Sequence, residues 1–472
     1  GGGGGGERRA SLPATISDAE IRAMSACAGV RLKRFAGPLL ALHWIEAAAA
    51  QGFFVIPAFG AVLASLSQIL HNGKFMTLPR NNAGAPTRTV SLDYLRGFVT
   101  LLVVLYHSFL GYMALLPSSA PLSTGMWRSI PIVDQEKWLG FDAFVTLNNT
   151  YFMSLMFLLS GLFVWSSLKR KGAAEFLRDR WTRLGLPYLF CLLVLAPLAY
   201  YAANLAGGDQ EGPAAFWLRF LPMGAHGLTG PAWFLWMLLA FDALAALVFT
   251  TAPKADGVLA RFAALGQRPP ILFLLLVVLS GLAYLPLAAI FGVEPWTNLG
   301  PFSFQLSRPL HYLLYFAVGV ALGAAGVSQG LFAPDGRLAS RWSLWALLAV
   351  ALAGCFLGLA GKAQTATGEA QQILEMIQSV VWVVSCAASS FALIAVFVRF
   401  MHKPDPVWAS FSANAYGIYL VHYAIVVWLQ FTLMRADWPG LVKGLVVAAF
   451  AVPLSWSVAA AARRLPLVAR AV

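Results

Sequence analysis

Charge is what this chain carries least of. Only 11% of its 472 residues are Asp, Glu, Lys or Arg, and 59% are hydrophobic. A soluble globular chain carries roughly 25% charged and 45–50% apolar residues. So few polar side chains cannot cover a water-soluble body, whatever its fold. Length alone implies about three soluble domains, but that expectation assumes water as the solvent. A mean hydropathy of +0.71 and long charge-free runs make the solvent lipid. Cysteine is scarce too: Cys27, Cys191, Cys355 and Cys386 are all there are. None forms a C-x-x-C pair or stands beside a histidine at metal-ligand spacing. The last three lie in apolar runs, where cysteine behaves as a small hydrophobe. No disulfide framework and no metal site is expected. Acidic residues number 20 against 33 Lys and Arg, for a net charge of +13. The basic residues fall in short clusters between apolar runs. That spacing serves membrane topology and makes no continuous basic face, which excludes nucleic acid as a partner.

What is present is a series of long apolar runs. From residue 90 onward, ten runs have the ~20 mostly apolar residues that span a bilayer: 97–116, 147–168, 184–205, 231–250, 271–291, 310–329, 342–361, 376–399, 410–432 and 439–461. Each is read as a helix, because backbone groups in lipid must pair within their own segment. The expected fold is an all-α, polytopic bundle of about ten transmembrane helices, embedded among membrane lipids.

The loops orient it. With the first helix starting in the cytoplasm, that side receives Arg80, Arg88 and Arg96, then the loop 169–183 with Lys169, Arg170, Lys171, Arg178, Arg180 and Arg183. Lys254, Arg261, Arg268, Arg337, Arg341, Arg399, Lys403, Arg463, Arg464 and Arg470 bring the total to 19. The far side receives 6: Arg128, Lys137, Arg219, Arg308, Lys362 and Arg435. The positive-inside rule then places both ends in the cytoplasm.

The first 75 residues stand apart. Six glycines open the chain without a Met, and a polar stretch follows with Arg8, Arg9, Lys33 and Arg34. The run Phe53 to Leu70 is just long enough to span. It is either an extra span or signal anchor, or part of a start-site artefact upstream of a true start at Met76. The second reading is favoured, and the membrane domain is set at 76–472.

Ionisable residues inside spans are costly, so each marks a candidate site. His107 lies mid-way along the first span, eleven residues after Arg96. Eleven residues turn through about 1100°, some 20° past three full turns, and rise roughly 16 Å. Arg96 and His107 therefore share one face, and Asp93 falls on nearly the same stripe. The plain alternative is a packed histidine and an ordinary interfacial arginine. Arg180 and Arg183, one turn apart, suit bidentate grip on a phosphate, although on spacing alone plain positive-inside charge is the favoured account. In the ninth span, Tyr416, Tyr419 and either His422 or Tyr423 form a polar aromatic ridge. His422 sits too deep for an interfacial belt. His311 and Tyr312 at the start of the sixth span, and Trp233 and Trp236 at the start of the fourth, fit a belt. No Gly-rich phosphate loop, H-E-x-x-H or G-x-S-x-G motif stands out.

These segments together resemble a known family. Ser91-Leu92-Asp93-Tyr94-Leu95-Arg96-Gly97 followed by His107 resembles the Arg, ten residues, His signature of the acyltransferase type 3 family. Its members are integral-membrane O-acyltransferases of bacteria and animals. Phe157-Leu158-Leu159-Ser160-Gly161 resembles its second-helix Phe-Phe-Leu-Ser-Gly motif. Arg180-x-x-Arg183 with Leu186-Pro187-Tyr188 resembles the arginine pair and Pro-Tyr opening of its third helix. Tyr315-Phe316-x-x-Gly319 and Tyr416-Gly417-Ile418-Tyr419-Leu420-x-His422 resemble its later helices. The similarity runs in order from about 90 to 455.

The resemblance implies transfer of an acyl group, acetyl or succinyl, from cytoplasmic acyl-CoA to a hydroxyl. The acceptor would be a cell-envelope glycan or glycolipid at the far side of a bacterial inner membrane. Acyl-CoA would be a co-substrate, with no resident cofactor. Carried over, His107 is the catalytic imidazole, Arg96 its motif partner, and Arg180 and Arg183 contact the donor's phosphates. Asp93, Tyr416, Tyr419, His422, His311 and Trp233 are possible supports. One departure stands out: many members carry an Asp seven residues before the second-helix glycine, where this chain has Ser154. That departure leans toward the glucan-succinylating branch. The rival classes are a proton-coupled transporter or glycan flippase using His107, and a structural subunit of an envelope complex.

Overall fold

A computed structural model describes residues 90–116, 130–224, 227–327 and 330–471. The Phe53 to Leu70 run, Met76, Arg80, Arg88 and Arg128 lie outside the described residues. Twelve helices organise the rest: α1 Val90–Leu110, α2 Leu139–Lys171, α3 Ala173–Ala206, α4 Pro213–Gly224, α5 Trp233–Thr251, α6 Ala255–Ala264, α7 Pro269–Phe291, α8 Pro309–Ala324, α9 Trp342–Thr365, α10 Glu369–Phe400, α11 Pro406–Leu433 and α12 Gly440–Ala462. Among the described residues, nine are long and apolar enough to cross a membrane. The chain is an all-α polytopic membrane protein.

The sixth expected span, 310–329, is shorter than the sequence implies. α8 has sixteen residues, about 24 Å at 1.5 Å per residue, against a hydrocarbon core of ~30 Å. A helix this short can still cross because it is sheathed by protein, packing on α2, α6 and α7. Small residues permit the approach to α2. A Cβ on Gly319 would stand 2.1 Å from the Leu158 carbonyl oxygen, and one on Gly323 1.9 Å from that of Leu162. This is the close backbone crossing that small residues four apart allow in membranes. α9 is the opposite case, touching mainly α10 and leaving most of its surface outward.

The expected loop 169–183 is helical. α2 runs on to Lys171, α3 begins at Ala173, and Gly172 at φ +76° is the only break. Arg178, Arg180 and Arg183 therefore sit on a helix, not in a connection. α1 likewise begins seven residues before the expected 97, which puts Arg96 inside its second turn. Both shifts have one cause: the apolar run marks the part of a helix in hydrocarbon, and the helix continues into the polar interface. At this basic end, the Lys169 ammonium lies 2.6 Å from Asp256. That ammonium, then the Trp165 indole, hold the Asp256 carboxyl below the usual carboxylate range.

Two prolines shape α3. Proline has no N–H, so the carbonyl four residues earlier loses its helical partner. Pro187 frees Arg183 and Pro197 frees Leu193, and wide π turns occupy Trp181–Gly185 and Cys191–Leu195. Both carbonyls find donors on other helices. The Tyr416 hydroxyl of α11 donates to Arg183 O, and the Trp217 indole of α4 donates to Leu193 O at 2.9 Å.

A small antiparallel hairpin, β1 Trp296–Leu299 and β2 Phe302–Gln305, joins α7 to α8 with Trp296 opposite Gln305. Its Pro301 carbonyl accepts from Tyr188 Oη at 2.8 Å.

Candidate functional site

α1 and α11 lie side by side and run the same way. At their starts, Asp405 caps α11 by accepting from Trp408 N at 2.9 Å, an N-cap followed by proline at the first helical position. Tyr94 of α1 holds that cap, its hydroxyl accepting from Asp405 N at 2.7 Å. Deeper, Gln430 of α11 donates to the His107 carbonyl at 3.0 Å. Between these ties the two helices bring His107 and His422 together.

His107 Nδ1 lies 2.8 Å from Val103 O, and His422 Nδ1 lies 2.6 Å from Tyr419 O. A carbonyl only accepts, so each ring, when neutral, carries its hydrogen on Nδ1. His422 Nε2 is then a bare acceptor, 3.3 Å from His107 Nδ1. His107 Nδ1–H is shared between the Val103 carbonyl and His422, which leaves His107 Nε2 as a lone pair. His422 is fully buried, whereas His107 and the neighbouring Tyr106 are only half-buried. The arrangement is a histidine oriented by a second histidine, with its basic nitrogen free for chemistry.

Arg96 lies one face below, 3.6 Å from Asp93, as the three-residue spacing requires. Arg180 stands 3.3 Å from Asp242 of α5, a carboxylate with no exposed surface, and 4.9 Å from the centre of the Phe176 ring. Arg183 is exposed, and its carbonyl holds Tyr416. The Tyr419 hydroxyl donates to Pro231 O, just ahead of α5. Each member of the Tyr416, Tyr419, His422 ridge thus reaches a different element: α3, the lead into α5, and α1.

His311 is remote from this pair. It is fully buried, with Nε2 3.1 Å from Ser154 Oγ and 3.6 Å from Cys386 Sγ. Burial places His311 and Tyr312 inside the protein and not in an interfacial belt. Trp233 is half-buried and stacks on Tyr312 at 5.8 Å. Among the described residues, no group of three His, Cys, Asp or Glu is placed to hold a metal ion.

The sequence model of the acyltransferase domain family known as acyltransferase 3 matches residues 89–460. The chain belongs to the acyltransferase 3 family. It is an integral-membrane O-acyltransferase. Comparison with curated proteins and with solved structures finds no match. The family match spans α1 to α12, so the His pair, the arginine turn and the α8 cluster all lie inside the acyltransferase 3 domain.

Four polar residues of this acyltransferase escaped the sequence reading. Asp242 lies within an expected span and Lys443 within another. Lys443 is buried against Asp134, with Nζ 2.8 and 3.0 Å from the two carboxylate oxygens. Gln430 was hidden in the ninth run. Arg308 was counted as an ordinary far-side charge, although it is 3% exposed. The available signal was the same for each: a polar residue in or next to an apolar run, where lipid makes it expensive.

Proposed function

We propose that this membrane O-acyltransferase moves an acyl group, acetyl or succinyl, from cytoplasmic acyl-CoA to a hydroxyl of a cell-envelope glycan or glycolipid. His107 is the general base. Its Nε2 takes the proton of the acceptor hydroxyl as that oxygen attacks the thioester carbonyl. The C–S bond then breaks, and the proton passes from Nε2 to the departing CoA sulfur. During the step His107 is an imidazolium, whose Nδ1–H donates to the neutral His422 Nε2 and to the Val103 carbonyl. That hydrogen bond strengthens as charge develops, which is what lowers a barrier. General-base help is worth about 10²–10⁴-fold in rate.

Arg183 and Arg180 meet the donor's phosphates at the basic end. Arg183 is the freer of the two, since Arg180 must exchange Asp242 for phosphate. The excess of basic residues on one side supports an inner-membrane placement with both chain ends in the cytoplasm.

The observation that carries this reading is the half-buried His107 with Nδ1 committed and Nε2 uncommitted. The test is acyl transfer from labelled acetyl-CoA or succinyl-CoA by the purified protein in nanodiscs. The wild type should acylate a glycan acceptor, and His107→Ala should not, while still inserting. Equal transfer by both would overturn the role of His107. Absence of any acyl-CoA turnover by the wild type across glycan acceptors would overturn the donor assignment.

A further inference from the structure

A second polar cluster lies outside the His pair, centred on Arg308. Arg308 is 3% exposed, with its guanidinium carbon 5.3 Å from the centre of the Trp382 ring. Among the described residues no carboxylate stands within 4.0 Å of it. Its two hydrogen bonds go to neutral acceptors, Asn149 Oδ1 at 3.2 Å and Tyr312 Oη at 3.4 Å. Arg308 Nε has no partner.

The surroundings are rich in donors. Tyr284 Oη and Ser307 Oγ are buried without hydrogen-bond partners. Tyr284 stacks at 4.4 Å on Trp382, the ring that Arg308 also contacts, and Ser307 adjoins Arg308 in sequence. Arginine only donates, so the Asn149 atom facing it is oxygen, which leaves the Nδ2 hydrogens for another acceptor. A buried cation without a counter-ion is strongly disfavoured, and inside a membrane protein such a residue marks function. Cation, amide and hydroxyl donors without a carboxylate are the chemistry of an oxyanion receptor.

We propose that Arg308, with Asn149, Tyr284, Ser307 and Tyr312, binds a carboxylate or phosphate carried by one of the two reaction partners. The assignment to a reaction partner rests on the acyl-transfer reading above. Position supports it: Tyr106 adjoins His107 in sequence, its ring packs at 5.1 Å on Phe152, and Phe152 is one turn along α2 from Asn149, which accepts from Arg308. Trp233 stacks on Tyr312 and meets Trp296 at 5.8 Å, and both tryptophans are half-buried. A substrate held on these rings can place its anionic group on Arg308. Two carriers share this chemistry, a dicarboxylic acyl group and an anionic acceptor.

The purified full-length protein in nanodiscs, without CoA, is titrated with succinate and with inorganic phosphate at constant ionic strength, and unfolding is followed by heat. One or both anions should raise the midpoint above a chloride control. Arg308→Gln should weaken that response about tenfold or more, the loss of one charge-assisted hydrogen bond. His107→Ala should retain it. Where Arg308→Gln does not fold, Tyr284→Phe and Ser307→Ala replace it, and at least one should weaken the anion several-fold. No response in the wild type beyond chloride overturns the proposal. So does an unchanged response in Arg308→Gln, or in both hydroxyl variants.

A second arm identifies the carrier. A loss of affinity in the Arg308 variant for succinyl-CoA but not acetyl-CoA assigns the acyl group. A loss for glucose 6-phosphate but not glucose assigns the acceptor. Affinity unchanged for all four in that variant overturns the link to a reaction partner. An anion response in a protein that transfers no acyl group would keep the receptor and remove the acyl-transfer reading, so the two fail separately.

Discussion

His422 Nε2 stands 3.3 Å from His107 Nδ1, and the hydrogen between them belongs to His107. Each ring's Nδ1 is already claimed by a carbonyl of its own helix, so the pair has a direction. His422 accepts and His107 donates.

His422 is therefore a positioning residue whose contribution grows as His107 gains charge. His422→Ala should lower kcat by about 10- to 100-fold, the size of one hydrogen bond to a charged group. KM for acyl-CoA should stay within about twofold of the wild type. His422→Gln, whose amide oxygen accepts, should restore part of kcat. An equal loss in Ala and Gln variants, with normal thermal stability, would show that acceptance by His422 is not what matters.

Arg180 poses a separate question, because Asp242 holds it. Arg180→Ala strands a buried carboxylate and should cost about 3 kcal/mol, the low end for a broken buried pair since the guanidinium is partly exposed. Arg180→Ala with Asp242→Asn should recover most of that stability in a detergent melt. Donor kinetics then separate the roles. KM for acyl-CoA stays about tenfold raised in the double variant if Arg180 touches the donor. It returns to normal if the arginine serves only Asp242.

Lys443 and Asp134 are 1% and 2% exposed and paired at 2.8 Å. Asp134→Asn or Lys443→Met alone should destabilise by about 3–5 kcal/mol. Asp134→Leu with Lys443→Met should return to within about 1 kcal/mol of the wild type or exceed it, because a packed apolar pair needs no desolvation. Thermal unfolding of the three variants checks this. Additive losses in the double variant would contradict it.

Orientation is testable from the two ends of the bundle. In a background lacking the native cysteines, Ala174→Cys should react in intact cells only with membrane-permeant thiol reagents. Thr367→Cys should react with impermeant ones. Both positions are exposed. The reverse pattern would turn the molecule over and remove the basic end from the cytoplasmic donor.

The spans were legible because lipid imposes one requirement, a run of apolar residues, and that requirement is local. Helix ends were less so: Ala173 to Arg183 is charged, and nothing in its composition distinguishes a loop from a helix that leaves the membrane still wound. α8 was overestimated because Ala325 onward stays apolar after the helix has stopped at Ala324. Polar partners were the least legible. His422 lies 315 residues from His107, and Lys443 lies 309 from Asp134. Each could be marked as costly, but its partner is fixed only by helix packing. Arg308 read as a loop charge because its burial comes from α2 and α10, neither of which adjoins it in sequence.

The bond from Tyr416 to the Arg183 carbonyl also limits how the molecule can move. A one-turn slip of α3 against α11 would break that bond and return Arg183 O to the unpaired state that Pro187 leaves it in. Trp217 of α4 restrains α3 in the same way ten residues further on, through Leu193 O. Because α11 also carries His422, the arginine turn and the imidazole pair travel as one strut of fixed length. Opening for substrate then falls to helices outside that strut. α9, which packs mainly on α10, lies outside it.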